Sequence, residues 1–94
     1  MSIGTFLKNK RVAVFMTQKQ ASGFLGLKNQ QFLSNIERGT RNPPVELLKE
    51  MCTVYNVSDE DMRAEFIENS SENAKARAKL KWEESNQSDQ ISQN

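Results

Sequence analysis

The chain contains no histidine and a single cysteine, Cys52. The first absence removes the commonest general base at neutral pH and the commonest metal ligand. The second leaves no disulfide framework and no zinc site within one chain. No apolar run approaches the ~18 residues of a membrane span, and no secretory leader is visible. The chain is therefore expected to be soluble and cytoplasmic. It also lacks a glycine-rich phosphate loop after a strand and any nucleophile–base pattern, so neither catalysis nor a cofactor is expected. Acid is scarce in one half only. Residues 1–44 carry seven basic side chains against the single acid Glu37, a balance of +6. Residues 45–68 carry seven acids against Lys49 and Arg63, a balance of −5, and residues 69–94 balance. The overall charge of +1 conceals this division. Positive charge gathered on one half is the footprint of a phosphate-facing surface.

What is present centres on residues 17–39. Thr17 followed three residues later by Gln20 forms a capping box, with Met16 and Ala21 at the positions of a weak hydrophobic staple. The helix it opens ends at Gly26, since glycine takes the left-handed conformation at low cost. Asn29 is a good N-cap for a second helix over 30–38, which Gly39 stops. Phe32, Leu33 and Ile36 give this helix one apolar face. Gln30, Gln31, Ser34 and Asn35 fall mostly on the other face, which carries amides and a hydroxyl but no charge. Such side chains both donate and accept, as reading base edges in a major groove requires. A Gln- and Asn-rich face is equally what a merely solvated helix shows.

These residues resemble the Cro/repressor-type (XRE-like) helix-turn-helix family of transcription regulators. The resemblance rests on Thr17-Gln18, Leu25-Gly26, Ser34-Asn35-Ile36-Glu37-Arg38-Gly39, and Pro43 before an apolar periodic run. It covers residues 3–66. Ser22 stands where the family usually has alanine at the helix–helix contact, and Phe15 where glycine is common. Gly26 to Glu37 is one residue longer than usual, which implies an insertion at Leu27-Lys28-Asn29. Helical patterns succeed one another with no strand-like alternation between them, which predicts an all-α domain of five short helices over 3–68. The resemblance further implies an Arg11–Glu37 ion pair and binding to double-stranded DNA. The pair would neutralise the one carboxylate in the basic half. The alternative is that Glu37 faces water.

Before this motif, residues 3–14 read as a first helix with Ile3, Phe6, Leu7 and Val14 inward and Lys8, Lys10 and Arg11 partly exposed. Gly4 lowers its propensity, so packing must hold it. After the motif, Pro43-Pro44 forbids helix before it and presets helix after it. Leu48, Met51, Cys52 and Tyr55 then follow a core stripe, in which Cys52 and Met51 are filling. Ser58 caps a fifth helix whose first turn, Asp59-Glu60-Asp61, complements the helix dipole. The helix-turn-helix domain is thus expected to occupy 1–68. Residues 69–94 read as a tail, helical at 72–84 or disordered, with 85–94 disordered. Trp82 is the feature that resists a plain-tail reading.

The functional expectation is a sequence-specific regulator, a repressor, whose helix at 30–37 enters the major groove. Gln30, Gln31 and Asn35 would each pair with adenine, with Ser34 and the cap Asn29 alongside. Gln18 would hold a backbone phosphate, and Lys28, Arg38 and Arg41 would supply ionic contacts. A palindromic operator and a homodimer follow from the short reach of one module, with Met62, Phe66 and Ile67 as contacts, joined by Leu80 and Trp82 if the tail orders. The alternative is an antitoxin-like subunit whose tail binds a protein partner, with DNA binding autoregulatory. Binding to a membrane is not expected.

Overall fold

The computed structural model describes residues 3–93, with side chains over 3–85 apart from that of residue 72. Among the described residues there are helices and turns and no strand. The helices are α1 (Ile3–Ala13), α2 (Gln18–Phe24), α3 (Gln30–Arg38), α4 (Val45–Val54), α5 (Asp59–Glu68) and α6 (Lys75–Gln93), with a 3-10 turn at Glu72–Ala74. None is long and apolar enough to cross a membrane.

α1 has Ile3, Gly4, Leu7 and Arg11 buried, a stripe that lies against α3. Gly4 allows the approach. A Cβ there would run into the carbonyl oxygens of Ile36 and Glu37, so backbone meets backbone where α1 crosses the end of α3. The low helix propensity of glycine is offset by this packing. Leu7, Ala21, Leu33, Ile36, Leu48 and Met51 then form the centre of one core.

α4 starts at the proline pair: Pro44 is its N-cap, and its carbonyl accepts from Leu47 and Leu48 N–H at 3.1 Å. Cys52 is half-buried, and burial pushes its thiol pKa up, as suits a filling residue. α5 opens on Ser58, whose hydroxyl accepts from Asp61 N–H at 3.0 Å.

Beyond residue 68 the chain is helical, one of the two forms expected of it, and this helix is docked on the domain. α6 packs on α4 and α5, and Trp82 is 1% exposed within the same core as Leu7 and Leu48. Its ring lies 5.9 Å from that of Phe66, and Lys49 Nζ sits 4.7 Å from its centroid while donating to its carbonyl oxygen at 2.9 Å. Packing therefore gives no boundary at 68: the last helix is a wall of the domain. The helix also runs past 84 to Gln93, through a stretch with neither glycine nor proline to stop it. Docking of α6 consumes much of the surface assigned to a dimer. Met62 is 0% exposed, Ile67 is buried, and Phe66 faces Trp82 within the chain. Met62 has no surface left for a partner, because α5 turns it inward.

Candidate nucleic-acid interface

The turn between α1 and α2 is tied by one residue. The Arg11 carbonyl accepts from Val14 N–H at 3.2 Å and Met16 N–H at 3.3 Å, while its guanidinium donates to the Met16 carbonyl at 2.7 Å. The same guanidinium grips Glu37 with two bonds, Nε to Oε2 at 2.7 Å and Nη2 to Oε1 at 3.0 Å. Both residues are 7% exposed, so Arg11 lies deeper than the partly exposed position expected. A bidentate, charge-assisted pair is the strong form of this contact. Its hydrogen bonds to Glu37 hold the Arg11 pKa above its ordinary value against the opposing effect of burial. Removing one partner of a buried pair costs roughly 3–5 kcal/mol. The pair fixes the end of α3 to α1 and to the start of α2, and it leaves no open carboxylate in residues 1–44.

α2 begins with both halves of the capping box: Thr17 Oγ1 accepts from Gln20 N–H at 3.1 Å, and Gln20 Oε1 accepts from Thr17 N–H at 2.9 Å. It ends with Gly26 at φ 71° and Leu27 N–H donating to the Ser22 carbonyl at 2.9 Å. That bond closes a six-residue C-cap. Lys28 follows, exposed, and Asn29 caps α3 through its Oδ1, which accepts from Gln31 N–H at 3.0 Å and Phe32 N–H at 3.4 Å. Gly39 closes α3 at φ 83°. Cap, helix and stop are all local, so α3 presents its faces in a fixed register.

Leu33 and Ile36 are buried, and Gln30, Gln31 and Arg38 are exposed, with Ser34 and Asn35 half-buried between them. Gln31, Asn35 and Arg38 form a hydrogen-bonded row: Gln31 Nε2 donates to Asn35 Oδ1 at 3.0 Å, and Arg38 Nη2 to the same oxygen at 2.6 Å. Arg41 is exposed, its guanidinium carbon 4.8 Å from the Phe32 ring centroid. Gln30, Gln31, Ser34, Asn35 and Arg38 are thus gathered on one helix, with Lys28 and Asn29 at its start and Arg41 just beyond its end. Gln18 is placed differently from expectation. Its Nε2 donates to Glu37 Oε1 at 3.0 Å, so one amide hydrogen is held inside the motif, and its other hydrogen and its oxygen remain. Sequence reasoning missed the Met16 carbonyl, which has no side-chain signal, and the role of Asn35 Oδ1 as a shared acceptor.

A family model described as helix-turn-helix matches residues 7–62. The HTH-type transcriptional regulator ImmR of Bacillus subtilis (strain 168) is 41% identical over 58 residues, which are 62% of this chain and 45% of that protein. The chain therefore spans less than half the length of the curated relative it matches. No solved structure matches the chain significantly. With a model covering more than half its length, and with α2 and α3 joined by a capped turn, the chain belongs to the helix-turn-helix family.

Proposed function

We propose that the protein is a sequence-specific DNA-binding transcription regulator, acting as a repressor, with α3 in the major groove. The observation that carries this reading is the outward face of α3, a row of amides without a free acid, set in the half of the chain with a balance of +6. Gln30 and Gln31, both exposed in the first turn, are the base readers. Lys28, Arg38 and Arg41 hold phosphates at the two ends of the helix. Gln18 adds a phosphate contact through the amide groups that Glu37 does not take. Likeness to a transcriptional regulator of Bacillus subtilis supports the same function.

One module reads few base pairs, so two copies on half-sites about one helical turn apart are needed to reach useful specificity. The basic half faces the duplex, and the α5–α6 side makes the contact, with Leu80, 58% exposed, in place of Met62. Selection of bound duplexes from a random library tests function and symmetry together. A palindromic consensus is expected, and recovery of no consensus contradicts the proposal. Sedimentation equilibrium with that duplex is expected to give two chains per DNA, and one chain at saturation removes the dimer. The antitoxin-like reading rests on the alternating Ala/Lys stretch that ends at Trp82, offered as a tail to wrap a protein partner. Ala78 and Trp82 are buried in this chain's own fold, so the stretch is docked on the domain and gives that reading little support.

A further inference from the structure

Asn35 sits at the centre of the polar face of α3, and its oxygen is shared. Gln31 one turn before and Arg38 one turn after both donate to Asn35 Oδ1, at 3.0 Å and 2.6 Å. An amide oxygen has two lone pairs, and these two donors fill them. Recognition of adenine by an amide side chain takes an acceptor and a donor from the same amide. Asn35 in this state has no acceptor left to offer. Gln31 retains both, since it spends one of two N–H groups on Asn35 and keeps the other together with its Oε1.

The direction of the row is also set. An amide flanked only by amides can exchange its ends, because each end finds a complement. Arginine cannot reciprocate, having five donors and no acceptor. Arg38 therefore requires the oxygen end of Asn35. Because Gln31 converges on that same end, it must turn its own nitrogen inward, and its remaining donor and acceptor then face outward in one order. We infer that Asn35 and Arg38 are positioning residues that fix which way round Gln31 presents its amide, and so which base pair Gln31 accepts. The inference rests on the proposal that α3 reads DNA and goes beyond it. Asn35 becomes a support rather than a base contact, and Arg38 contributes to specificity as well as to phosphate binding.

The test uses the full chain and a duplex selected from a random library, with each base pair of a half-site changed in turn. Asn35→Ala is expected to lose discrimination at the same base pair as Gln31→Ala, by roughly tenfold, and to add nothing there when combined with Gln31→Ala. Asn35→Asp keeps two acceptor oxygens and so both bonds. It is expected to preserve discrimination at that pair while its negative charge weakens all sequences alike. Arg38→Ala is expected to weaken every sequence and also relax that one pair. The inference is overturned if Asn35→Ala relaxes a base pair of its own, or if Asn35→Asp loses discrimination as fully as Asn35→Ala. An Arg38→Ala variant that weakens every sequence without relaxing that pair overturns the part given to Arg38. A wild-type chain with no preferred sequence overturns the DNA-reading function beneath, a different failure with a different signature.

Discussion

Phe15 turns the chain between α1 and α2 at φ 60°, with its side chain 92% exposed. A bulky side chain in the left-handed region costs roughly 1–2 kcal/mol, and an exposed ring recovers none of it through burial. Phe15→Gly is therefore expected to raise stability by about 1 kcal/mol, read as a higher midpoint in urea unfolding. A lower midpoint would contradict the exposure of the ring. Tyr55 tests burial at the same scale. It is the only tyrosine, and its hydroxyl lies buried without a hydrogen-bond partner among the described residues. Burial, then the negative charge of Glu37, push its pKa up to about 12, with Arg11 opposing. The unfolded chain releases this proton near the ordinary value of 10, before the folded chain does. The stability tied to Tyr55 is thus constant below pH 10 and is lost as pH rises from 10 towards 12. Native tyrosinate absorbance is expected to appear near pH 12, and Tyr55→Phe is expected to remove this part of the alkaline loss. An absorbance step at pH 10 in the folded protein would contradict the burial of the hydroxyl.

At the scale of elements, what could be read in advance was what is local. The Thr17–Gln20 box, the Asn29 cap, the Gly39 stop and the proline start of α4 each depend on residues within four positions of one another, and each was legible. The Arg11–Glu37 pair spans 26 residues and is reached only through the family resemblance. The depth of Arg11 is not legible, because it depends on how α1 packs on α3. The bond from Gln18 to Glu37 is hidden from the sequence because it joins residues 19 positions apart. Nothing in its neighbourhood shows that Glu37 comes within 3.0 Å. α6 was obscured by its own composition. Lys75, Arg77, Lys79 and Lys81 alternate along it and suggest a helix solvated all round. Beneath that alternation, Ala78, Trp82 and Ser85 are buried, and their four- and three-residue spacing is one narrow face. A stripe with one large residue in it gives little periodic signal. Trp82→Ala is expected to destabilise the chain by about 3–5 kcal/mol, as for a fully buried aromatic. A loss under 1 kcal/mol in denaturant unfolding would mean that α6 is an accessory to the core and no part of it.

For the whole molecule, charge is divided although packing is not, since one core joins all the helices. The basic half holds α1, α2 and α3, locked together by Arg11, Glu37 and Gln18, and the acidic half holds α4 and α5, closed over by α6. One half is built to present a rigid polar helix, and the other to support it. Salt should therefore weaken binding through the phosphate contacts while leaving the choice among sequences to the face of α3. The most direct measurement compares Gln31→Ala and Lys28→Ala with the wild type on a selected duplex and a scrambled one, over a series of salt concentrations. Gln31→Ala is expected to lose roughly 1–3 kcal/mol on the selected duplex with scrambled binding almost unchanged. Lys28→Ala is expected to weaken both duplexes alike and to flatten the salt dependence of each. If the two variants behaved identically on both duplexes, α3 would not be reading bases.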